Sequence, residues 1–118
     1  MLRVAIGEPD VAYATALASL IGDEPDRLVV GRARDVVGLV ELIEGTGAAA
    51  AVVATRLPGG GVGAVAEHLA QLQLSCRLVA IASVPTAAIR RTADMAGAAL
   101  VARGDGGHLL ALLTAGEG

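Results

Sequence analysis

The sequence predicts an α/β fold, a parallel sheet of five strands covered by five helices. Three observations carry this reading. Short apolar runs alternate with stretches of helical periodicity five times along 118 residues. The runs show no polar alternation, as strands buried on both faces do not. Gly, Pro and Asp punctuate most of the junctions between them. Strict alternation of this kind builds right-handed crossover units with helices on both faces of one sheet.

Leu2-Arg3-Val4-Ala5-Ile6 reads as a buried strand stopped by Gly7 and Pro9. A helix follows over 11–21, with Val11, Leu17, Leu20 and Ile21 near one face and Asp10 placed to cap it. Gly22 to Asp26 turns the chain into a second strand, Arg27 to Gly31. Asp35 to Glu44 is helical, with Val36, Leu39, Val40 and Ile43 at helical spacing and Gly45 and Gly47 to close it. Ala49 to Ala54 is the central strand, and Arg56 to Gly61 a loop. Val62 to Gln73 is a helix carrying Val65, Leu69 and Leu72 at three- to four-residue steps. Arg77 to Ala82 is strand four, followed by Ser83-Val84-Pro85-Thr86 and a helix to about Ala96. Ala98 to Ala102 is strand five and Gly107 to Thr114 the last helix. The doubly wound, flavodoxin-like strand order 2-1-3-4-5 follows as the leading topology. No linker or repeat divides the chain, so 1–118 reads as one domain, with 115–118 a frayed end or the start of a linker.

Composition narrows the function. Hydrophobic residues make up 54% of the chain, mean hydropathy is +0.65, and Tyr13 is the only aromatic. The core is therefore aliphatic and of modest expected stability, because Ala and Gly bury little area each. No apolar run reaches the roughly 18 residues of a membrane span, and Met1 to Val4 lacks the basic start of a secretory signal, so a cytoplasmic location is expected. Cys76 stands alone, which excludes an intrachain disulfide and a Cys/His zinc cluster and suits a buried spectator thiol. Net charge is −3, and all nine basic residues are arginines scattered from Arg3 to Arg103, so no nucleic-acid footprint is visible. Asp23-Glu24-Pro25-Asp26 is read as a solvated turn.

At this point particular residues matter. Leu2 to Asp10 resembles the first strand and acidic turn of response-regulator receiver (CheY-like) domains, particularly the LuxR/NarL type. Asp23 to Ala33 resembles their turn into strand two. Val52-Val53-Ala54-Thr55-Arg56-Leu57-Pro58-Gly59 is similar to the element that carries their phospho-acceptor aspartate, and Ala96 to Arg103 to their fifth strand. The likeness spans essentially the whole chain. It implies two-component signal transduction: a phosphoryl group passes from a histidine kinase to an aspartate, with a divalent metal held by neighbouring carboxylates.

Position by position, the resemblance implies that this chemistry is gone. The acceptor position falls on Ala54, whose methyl group neither takes a phosphoryl group nor ligates a metal. The acidic pair falls on Glu8 and Pro9; a register shifted to match Glu8-Pro9-Asp10 with an acidic turn would put it on Ile6 and Gly7 instead. The hydroxyl position falls on Ala82, with Ser83 a displaced substitute. The lysine position falls nearest Arg103, with Gly104 the alternative, and arginine offers a planar fork in place of a compact ammonium. The expectation is a degenerate receiver, or pseudo-receiver, with no catalytic residue, no metal and no cofactor. It is not an enzyme but a dimerising module of transcription regulation, with a second copy, a histidine kinase or another regulatory protein as partner. It would meet DNA only through an output domain absent from these residues, and no membrane. Two alternatives stand beside it: a flavodoxin-like domain binding a small ligand in the vacated cleft, and a non-standard acceptor using Thr55, Ser83 or Glu8.

Other motifs weigh less. Gly61-Val62-Gly63-Ala64-Val65-Ala66 matches a dinucleotide fingerprint, but it follows the third strand after a long loop and has no acid about 20 residues on. His68 and His108 read as surface residues. Arg90 and Arg91 read as an exposed basic face on the fourth helix.

Overall fold

The computed structural model describes residues 1–115. The order is β1 (Leu2–Gly7), α1 (Val11–Gly22), β2 (Arg27–Ala33), α2 (Val36–Thr46), β3 (Ala50–Ala54), α3 (Gly61–Gln71), β4 (Arg77–Ala82), α4 (Ala87–Met95), β5 (Ala99–Ala102) and α5 (Gly106–Ala115). The strands form one parallel five-stranded sheet in the order β2-β1-β3-β4-β5, the topology expected.

Side-chain alternation along the strands divides the core into two layers. Val4, Ile6, Ala50, Val52, Val79, Ile81 and Val101 face Ala14, Leu17 and Ile21 of α1 and Leu109 and Leu113 of α5. Ala5, Ala51, Val53, Leu78 and Ala80 face α2, α3 and Ala93 of α4. The second layer is alanine-rich, which draws its helices close to the sheet. A methyl group on Gly7 would stand 2.6 Å from Leu39 Cδ2, so a larger residue at the strand end that leads into Glu8 would require the Leu39 side chain of α2 to shift.

Several local expectations shift. Val11 is 57% exposed at the first position of α1; the buried stripe is Ala14, Leu17 and Ile21, with Leu20 half-buried. Leu72 is 46% exposed because it occupies the C-cap of α3, not its interior. Gly45 lies inside α2, and Gly47 closes that helix at φ 68°, the left-handed conformation a glycine cap supplies. Strand β2 runs two residues past Gly31, to pair Ala33 with Gly7 after a bulge that skips Val30. His68 is half-buried and His108 exposed. Cys76 is half-buried, and burial pushes its thiol up to about 11. Arg90 and Arg91 are exposed on α4, as expected. The tail residues 116–118 lie outside the described residues.

Candidate functional site

Parallel strands carry the chain out of the sheet at their C-terminal edge, where the connecting loops of β1, β3, β4 and β5 converge. A cleft of about 510 Å³ opens there, lined by Glu8, Pro9, Asp10, Ala54, Thr55, Arg56, Ile81, Ser83, Val84, Thr86, Ile89 and Arg103. It brings together Glu8, Pro9, Ala54, Thr55, Ser83 and Arg103 of the residues singled out from sequence. Ala82 and Gly104 are not among its walls.

Ala54 ends β3 opposite Ile81 and contributes a methyl group at the cleft floor. The following turn is fixed by Thr55 N–H donating to the Ile81 carbonyl at 3.0 Å and Leu57 N–H to the Ala54 carbonyl at 3.0 Å. Gly59, Gly60 and Gly61 all have positive φ, which lets the loop fold back over the strand end. Ala82 is 2% exposed; it serves through its carbonyl, which accepts from Arg103 N–H at 2.8 Å. Ser83, one residue later, is the hydroxyl that reaches the cleft from β4.

Glu8 is the one acid carried into the cleft from the end of β1. It is only 6% exposed, its backbone N–H donates to the Ala33 carbonyl at 3.0 Å, and its Oε2 accepts from Asp10 N–H at 2.8 Å. Pro9 is exposed and lends no ligand atom.

Asp10 caps α1, its Oδ1 accepting from the backbone N–H of Ala12 at 3.0 Å and of Tyr13 at 3.3 Å. Its Oδ2 accepts from Arg103 Nη2 at 3.1 Å. The Arg103 guanidinium in turn lies 4.0 Å from the centroid of the Tyr13 ring, and the Tyr13 hydroxyl accepts from Gly104 N–H at 3.4 Å. The Arg103 side chain is thus drawn onto α1. The Tyr13 N–H and then Arg103 hold the Asp10 carboxyl below its ordinary value near 3.8. A lowered folded-state pKa contributes stability above 3.8 that is lost as pH falls through the folded value. Urea titrations of the native chain and of Asp10→Asn should therefore differ at pH 6, and the difference should shrink as the pH falls below 3.8; a gap independent of pH would contradict the assignment.

The divalent cation that the receiver resemblance implies at these strand ends is not matched by the donor set. Glu8 supplies one carboxylate, Asp10 is committed to its cap and to Arg103, and Pro9 and Ala54 supply nothing. Among the described residues no group of three or more His, Cys, Asp or Glu is placed to hold a metal.

Sequence reasoning did not assign Asp10, Arg56, Val84, Thr86 or Ile89 to the cleft. Asp10 stands out only as a cap in sequence, since its partner lies 93 residues away. Val84 and Ile89 carry an apolar pattern too short to distinguish a wall from a core.

No protein-family model matches the sequence, and no curated protein matches it significantly. Solved structures do. The receiver domain of the response regulator NarL from Mycobacterium tuberculosis superposes with a TM-score of 0.86 at 22% identity, over 96% of this chain and 96% of that one. A LuxR-family response regulator from Aurantimonas gives 0.86 at 24% identity, over 96% of this chain and 85% of that one. The non-phosphorylated receiver domain of the stress regulator RcsB from Escherichia coli gives 0.87 at 16% identity, over 98% and 92%. These likenesses establish the fold: the chain is similar to receiver domains throughout its described length and has their CheY-like, doubly wound architecture.

Proposed function

We propose that this chain is a receiver-type signalling module that works without phosphorylation, regulating a LuxR/NarL-type response regulator by protein contact in the cytoplasm. The single observation that carries the reading is Ala54 at the end of β3, on the floor of the cleft. A methyl group offers no oxygen to a phosphoryl donor, and the single free carboxylate, Glu8, is too few to neutralise a transferring group with a metal. The Arg103 to Asp10 contact supports the same reading, because it commits the Arg103 side chain to α1. On this account the chain is not an enzyme. It forms a homodimer, or docks on a kinase or another regulatory protein, and controls a DNA-binding output domain carried outside residues 1–118. Among the described residues no helix is long and apolar enough to cross a membrane.

Sedimentation velocity with and without beryllofluoride and magnesium tests it. The expected result is the same dimer under both conditions. A monomer that dimerises only with the phosphoryl mimic would overturn the proposal.

A further inference from the structure

Glu8 raises a question that its place in a disabled site does not answer. A carboxylate this deeply buried is costly unless paired or hydrogen-bonded. Its Oε2 has one backbone donor, while Oε1 takes no hydrogen bond among the described residues, and no arginine pairs with it there. That second oxygen is not sealed in the protein; it is left accessible from the cleft. Of the two cations that line the same cleft, Arg103 is engaged with Asp10 and Tyr13, and Arg56 is exposed and makes no ion pair with Glu8.

The rest of the cleft is complementary to something other than a phosphoryl group. Ala54, Ile81, Val84 and Ile89 give it an apolar wall, with Val84 67% exposed at the mouth. The Thr55 and Ser83 hydroxyls line it and have no side-chain hydrogen bond among the described residues. A cleft of about 510 Å³ with apolar walls and a few convergent polar groups has the form of a small-molecule site.

We propose that the cleft binds a small organic cation: a protonated amine that donates to Glu8 Oε1, on an apolar body that packs against Ala54, Ile81, Val84 and Ile89. The inference deepens the phosphorylation-independent reading by naming what occupies the site once Ala54 has removed the acceptor. A metal ion is the poorer occupant, because Glu8 alone would ligate it.

Three probes of one length, n-hexylamine, n-hexanol and hexanoate, separate charge from apolar packing, with backbone amide chemical shifts of the ¹⁵N-labelled chain as readout. Hexylamine should shift the amides of Glu8, Ala54, Thr55 and Ser83, and bind at least about tenfold more tightly than hexanol or hexanoate, the size of one charged hydrogen bond. Glu8→Gln keeps an acceptor for Asp10 N–H and should weaken hexylamine by about the same factor. Ala54→Leu should block all three probes by filling the floor. The ranking of probes on the native chain needs no variant, so it decides the matter even if Glu8→Gln does not fold. Equal binding of the three probes, no amide shift with hexylamine, or displacement of hexylamine by magnesium alone would overturn the proposal. No phosphoryl donor is present, so failure here leaves the test of phosphorylation independent.

Discussion

Gly61→Ala should destabilise the protein by about 3–5 kcal/mol, one of the largest effects expected of any single methyl group in this chain. Gly61 opens α3 at φ 69°, and a Cβ there would stand 2.3 Å from the Thr55 carbonyl oxygen. Two costs add. The left-handed conformation is unfavourable for alanine by about 1–2 kcal/mol, and the contact is with backbone, which cannot rotate away as a side chain can. The loop between Thr55 and Gly61 would have to open, carrying the Thr55 wall of the cleft with it. A urea midpoint that falls sharply with an unchanged slope is the expected signature. A loss under about 1 kcal/mol would mean that the loop is not held as described. The same geometry accounts for Gly61-Val62-Gly63 without a dinucleotide: the first glycine is needed for the close approach to Thr55, and a Cβ at the second would meet nothing within 4 Å.

Ile6→Ala should cost about 2–5 kcal/mol. Ile6 has no exposed surface, pairs with Arg32 on one side and Val52 on the other, and packs into the layer under α1 and α5. With no Phe or Trp in the chain, the core consists of small aliphatic groups, and no large neighbour is available to collapse into the cavity. For a domain whose total stability is of order 5–15 kcal/mol, the loss is a large share. Val11→Ala makes the control. Val11 looks like a core residue in sequence but is largely exposed, so its truncation should change stability by no more than about 0.5 kcal/mol. Thermal or urea unfolding of both variants checks the pair, and similar losses for the two would contradict the placement of α1.

What the sequence conveys and what it conceals follow from the range of the interactions involved. The strands and the apolar stripe of α2 are written locally, in unbroken aliphatic runs and in Val36, Leu39, Val40 and Ile43 at helical spacing, and they stand in the structure as expected. The cap at Asp10 is equally local. Val11 and Leu72 mislead because they stand at helix ends, and periodicity does not say which turns of a helix are covered. The end of β2 is set by its pairing with Gly7, a residue of another strand. In the cleft, Glu8, Pro9, Ala54 and Arg103 meet, since fold order alone delivers strand ends to one edge. The direction of the Arg103 side chain, the exchange of Ala82 for Ser83 as the lining residue and the burial of Glu8 depend on contacts between distant segments. No spacing rule contains them.

The claim that the switch chemistry is absent is tested most directly by mass. The purified chain, incubated with acetyl phosphate and magnesium and measured intact, should show no phosphoryl adduct at any incubation time. A stoichiometric gain of one phosphoryl group, whether on Thr55, Ser83 or Glu8, would contradict the account and make this chain a phospho-acceptor with an unexpected residue.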